Sequence, residues 1–246
     1  IGTRTHRSCG TVVRGIIVAL DLPTAESAVD MAEEVADHVV GFKIGLGLLH
    51  GPGPLLIPAL VALGKPVFAD AKLNDIPSQV EVAARRLGEH GARWVTAHVN
   101  GGQAMLEAAV TGLRAGAGAA PAGILGVTVL TSHDDASLAR IGIDRSPGKL
   151  VARMAKVAAA AGCEGVVSSP KELAVVSEVA PGLLKVTPGI RPVDRDDDQA
   201  RTMTPAEAVK RGADLLVIGR PITAAGDPKG AAAAIAAEIK DAAPLD

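Results

Sequence analysis

Tyrosine is missing from this sequence of 246 residues, and Phe42, Phe68 and Trp94 are its only aromatic side chains. A stacking platform for single-stranded bases is therefore excluded, and the core must come from Ala, Val, Leu and Ile. Cysteine is nearly absent too. Cys9 and Cys163 form no Cys-x-x-Cys pair, which argues against a disulfide framework and a thiolate zinc site and fits a cytoplasmic chain. The longest apolar run, 55–63, is broken by Pro58 and is far shorter than the roughly 20 residues of a membrane span. Residues 1–14 are basic but lack the apolar stretch of a signal peptide, and read as a short leader. The formal net charge of −2 leaves no electrostatic footprint for nucleic acid or an anionic membrane. No His-Glu-x-x-His or Gly-x-Gly-x-x-Gly pattern occurs, and "SPGKL" at 146–150 fails as a P-loop because Ile143 stands where that motif needs glycine. His98 and His133 fall at strand ends and read as structural histidines; Met31, Met105 and Met154 read as core filler.

What the chain does have is a repeat of short apolar runs rich in Val and Ile. They lie at 15–21, 39–45, 67–72, 94–99, 123–130, 165–169, 183–190 and 215–220, with segments of helical spacing between them, several closed by glycine. Regular alternation of strand and helix predicts parallel βαβ units, and near-continuous apolar strands fit a sheet covered by helices. Eight units at this length predict an α/β fold of the (β/α)8 TIM-barrel type, one domain over residues 15–246, with a doubly wound open sheet as the other architecture.

In such a barrel the chemistry sits at the C-terminal strand ends, and the charged residues fall there. Asp21 ends the first run, Lys43 lies near the end of the second, and "VFADAKLNDIP" at 67–77 ends the third with Asp70, Lys72 and Asp75. On a regular strand Asp70 and Lys72 share one face, their Cα atoms roughly 6.5 Å apart. Flanking acids favour the charged ammonium, so Lys72 keeps its proton and is a fixed ammonium donor. An ordinary ion-pair network is the competing explanation. A second signal follows the last two runs: "VTPGIRP", carrying Pro188 and Arg191, and "VIGRPIT", carrying Gly219 and Arg220. Glycine backbone and guanidinium groups there suit a phosphate, so the ligand is expected to be a phosphorylated metabolite.

These motifs together resemble the orotidine 5′-monophosphate decarboxylases. "DAKLNDIP" is similar to that family's Asp-x-Lys-x-x-Asp-Ile-Pro signature, and "VTVLTS", "VTPGIRP", "DDQAR", "TMTPAEAVKRGAD" and "VIGRPIT" follow in the family's order, from about Gly15 to the end of the eighth strand. The resemblance implies a homodimer with active sites shared across its interface, a nucleotide substrate, and neither metal nor organic cofactor. It implies that Lys72 protonates C6 and that Asp70 sits beside the departing carboxylate. Asp75 would reach the partner's site, with Ile76 lining the same pocket. Asp21 and Lys43 would bind ribose hydroxyls and Thr131 the pyrimidine. Gln199 would bridge base and phosphate, while Pro188, Arg191, Gly219 and Arg220 belong to the phosphate end. Two departures stand out: Gln79 occupies a position where the family typically has threonine, and the segment 191–199 is one residue shorter than in bacterial members.

Two other readings compete. The sister group of Mg2+-dependent sugar-phosphate enzymes, such as 3-keto-L-gulonate 6-phosphate decarboxylase or hexulose phosphate synthase, is similar in "DAK" and the phosphate end. Those enzymes have a glutamate near Lys43 and continue the third-strand motif as Asp-Ala-Gly. A non-catalytic nucleotide-binding barrel is the other reading.

Overall fold

The structure, a computed structural model, describes residues 14–191 and 203–242. All eight apolar runs form strands: β1 (Gly15–Ala19), β2 (Gly41–Ile44), β3 (Val67–Leu73), β4 (Trp94–His98), β5 (Gly123–Val127), β6 (Gly165–Val167), β7 (Leu184–Thr187) and β8 (Leu215–Ile218). Each pairs in parallel with its sequence neighbour, and β8 pairs with β1, so the sheet closes into a barrel. The strands are mostly shorter than their apolar runs, and Asp21 lies in the loop two residues beyond β1.

The helices among the described residues are α1 (Ala25–Val35), α2 (Leu46–His50), α3 (Leu56–Val61), α4 (Pro77–Glu89), α5 (Gln103–Ala117), α6 (Asp135–Arg140), α7 (Pro147–Ala160), α8 (Leu173–Val179), α9 (Pro205–Lys210), α10 (Arg220–Thr223) and α11 (Pro228–Ala242). Their starts are written in the sequence. Thr24 and Ser27 close a capping box on α1, Thr204 and Glu207 one on α9, and proline occupies the first turn of α4, α7 and α9. The run Gly51-Pro52-Gly53-Pro54 splits the β2–β3 connection into α2 and α3, since proline cannot continue the first helix.

Side-chain alternation along the strands yields two apolar layers. Ile17, Ala19, Phe68, Trp94, Leu125, Val186, Leu215 and Val217 fill the barrel, and a larger cluster packs the outer sheet face against the helices. At the N-terminal end, Glu164 accepts from Nη1 and Nη2 of Arg93 and from Trp94 Nε1 at 3.1 Å. Arg93 also lies over the Trp94 ring, 4.6 Å from its centroid. This base is a stability feature and leaves the other mouth for chemistry. Among the described residues no helix is long and apolar enough to cross a membrane. Cys163 is buried, and burial pushes its thiol up to about 12, so it is not a nucleophile at neutral pH.

Candidate active site

The C-terminal mouth holds a cavity of about 380 Å³. One wall carries Asp21, Lys43, Asp70 and Lys72, the opposite wall Val127, Thr131 and Val167, and the third side Pro188, Arg191, Gly219 and Arg220. Three separate sequence signals therefore meet around one space.

On the charged wall Lys43, only 7% exposed, donates from Nζ to Asp21 Oδ1 at 3.1 Å and stands 3.7 Å from Asp70 Oδ2. Lys72 Nζ donates to the same Asp70 oxygen at 2.7 Å. Asp70 thus faces two ammonium groups, the arrangement that makes partial burial of three charges tolerable. No lysine or arginine among the described residues forms an ion pair with Asp75. It is exposed, accepts from the Ile76 N–H at 2.6 Å, and leaves both itself and Ile76 outside the cavity of this single chain. Gln79 is likewise exposed in the first turn of α4, and Gln199 lies outside the described residues.

Asp70 and Lys72 both face the cavity, as their two-residue spacing predicts, but the strand between them is not regular. Ala69 pairs with Val95 and Leu73 with Ala97, so four steps along β3 face two along β4. This bulge needs a sharply turned residue, and Lys72, at φ +48°, is the one non-glycine residue of positive φ among those described. A left-handed backbone costs a residue with a Cβ roughly 1–2 kcal/mol. Strain of this kind concentrates at functional sites. On the third side of the cavity Gly189, at φ +78°, makes a left-handed turn after β7, where glycine adopts it freely.

The model of the Orotidine 5'-phosphate decarboxylase / HUMPS family matches residues 14–235. The chain belongs to this family. Among its relatives, the orotidine 5'-phosphate decarboxylase of Anaeromyxobacter sp. (strain K) is 48% identical over 91% of this chain and 97% of the relative. That of Moorella thermoacetica is 46% identical over 92% of each. The crystal structure of orotidine 5'-phosphate decarboxylase from Lactobacillus acidophilus superposes with a TM-score of 0.82 at 37% identity, covering 92% of this chain and 99% of that one. Family membership thus extends across every strand end that lines the cavity.

Sequence reasoning missed the apolar walls. Phe68, Val127, Val129 and Val167 line the cavity, yet in sequence they are indistinguishable from core residues. It also passed over Thr96, a wholly buried hydroxyl in the middle of β4. A hydroxyl in the middle of the apolar run "WVTAHV" was the available signal. His98, two residues further, titrates below its usual range: burial is the larger cause and the Lys72 charge the next, with Asp70 acting in the opposite direction.

Proposed function

We propose that this chain decarboxylates orotidine 5′-monophosphate to uridine 5′-monophosphate and CO2, a step of pyrimidine biosynthesis, in the cytoplasm, without metal or organic cofactor. The observation that carries the reading is the Lys72 ammonium held 2.7 Å from Asp70 on the wall of a cavity that Arg191 and Arg220 also line. In the reaction the C6–carboxylate bond breaks, CO2 departs, and its electron pair stays on C6. Lys72 transfers a proton to that carbon and is afterwards reprotonated from solvent.

A preorganised cation next to the developing carbanion stabilises the transition state more than the ground state, which is what raises the rate. Asp70 beside the leaving carboxylate holds Lys72 in position. Asp21 and Lys43 take the ribose hydroxyls and Thr131 the pyrimidine. Pro188, Arg191, Gly219 and Arg220, with Gln199, take the phosphate and its approach to the base, and phosphate binding there supplies energy that is used at C6. The chain works as a homodimer in this reading. Asp75, Ile76 and Gln79, exposed on one protomer, complete the partner's site.

The test follows the orotate absorbance band of orotidine 5′-monophosphate incubated with the purified protein in EDTA. Disappearance of the band supports metal-independent decarboxylation. Activity that appears only with Mg2+ and a sugar phosphate would contradict it, as would tight binding of uridine 5′-monophosphate without turnover.

A further inference from the structure

We propose that Thr96 is the positioning residue for the Lys72–Asp70 pair, holding both through a single hydroxyl. The inference rests on the decarboxylase reading for its kinetic test and on geometry for the rest.

Thr96 is 0% exposed on β4, directly across the bulge in β3. Its Oγ1 accepts from the backbone N–H of Lys72 at 2.9 Å and donates to Asp70 Oδ1 at 2.9 Å. The first bond replaces the ladder bond that the bulge removes. A backbone N–H at an irregular strand position needs a partner, and a threonine side chain supplies one where the neighbouring backbone cannot. The second bond fixes the rotation of the Asp70 carboxylate, so that Oδ2 faces Lys72 Nζ and Lys43 Nζ. One hydroxyl therefore ties the strained backbone of Lys72 to the orientation of the acid that receives its ammonium.

Two features separate this role from ordinary packing. Lys72 is the one left-handed non-glycine residue among those described, so its backbone has an alternative conformation to relax into. Valine has nearly the same shape as threonine, so Thr96→Val keeps the β-branched fit while removing both hydrogen bonds. Thr96→Ser keeps the hydroxyl and gives up a methyl group. Structural and positioning roles thus predict opposite rankings of the two variants.

Misplacing a reacting group by about 1 Å lowers a rate on the order of 10²-fold. For Thr96→Val we expect kcat on orotidine 5′-monophosphate to fall roughly 10–100-fold, by that geometric argument, with uridine 5′-monophosphate affinity unchanged. Thr96→Ser should recover most of kcat. Equal losses in the two variants, or a Thr96→Val kcat close to wild type, would overturn the inference. A crystal structure of Thr96→Val provides a readout independent of the substrate: Lys72 should leave the left-handed region or Nζ should leave Asp70 Oδ2, and unchanged geometry would overturn the inference. If wild type fails to turn over orotidine 5′-monophosphate, the decarboxylase reading falls, and the crystal structure alone decides the role of Thr96.

Discussion

At the scale of single residues the site is a set of charges whose arrangement depends on neighbours that carry none. Lys72 reaches Asp70 through a bulge, and that bulge is closed by the Thr96 hydroxyl. His98, on the same strand, gives a pH prediction. Its folded-state pKa lies below the ordinary 6.5, so the native chain resists a proton that the unfolded chain accepts. The unfolded state therefore binds more protons just below pH 6.5, and stability falls as pH drops through that value. Above it the contribution is fully present. Thermal melts of wild type and His98→Asn from pH 5 to 8 should show the variant losing less stability toward acid; parallel curves would remove His98 from the acid limb. The acids and lysines themselves were legible in sequence because strand-end charges in an apolar repeat have few other uses. Their shared face was legible too, but the bulge between them was not, since it adds residues without leaving a pattern in "FADAKL".

At the scale of elements, strand order and helix starts followed from local signals: apolar runs, capping boxes and prolines at first turns. Helix contacts were less legible. α4 and α5 approach so closely that a Cβ at Gly112 would fall on the Glu81 carbonyl oxygen, and one at Gly116 on that of Arg85. Glycine at these two positions sets the distance between the helices. Gly112→Ala should destabilise the barrel by about 1–3 kcal/mol, the usual effect of overpacking, which exceeds the roughly 1 kcal/mol that alanine gains in helix propensity. Gly148 in α7 meets nothing within 4 Å, so Gly148→Ala should leave the unfolding free energy level or raise it. Denaturant melts of the two variants check the contrast; similar shifts would mean that the close crossing does not constrain α4 and α5.

At the scale of the whole molecule, barrel closure brings together side chains from both ends of the sequence, Asp21 beside Lys43 and Asp70 at one side and Gly219 with Arg220 at another. That convergence was readable because eight alternating strand–helix units at this length have few closed arrangements. The role that the family resemblance implies for Asp75 does not show in a single chain, where its carboxylate is exposed and does not line the cavity. A shared dimeric site makes a sharp prediction. Chains bearing Asp75→Ala and chains bearing Lys72→Ala, each inactive alone, should regain activity when mixed, because one of the two sites in a mixed dimer is intact. No recovery in dimers shown to have exchanged subunits would place Asp75 outside the site. The claim on which all of this depends is that Lys72 delivers the proton, and the most direct measurement is kcat of Lys72→Ala on orotidine 5′-monophosphate in EDTA, alongside its melting temperature and its affinity for uridine 5′-monophosphate. The variant should stay folded, bind product and lose turnover by several orders of magnitude, whereas a folded variant retaining most of the wild-type kcat would contradict proton delivery by Lys72.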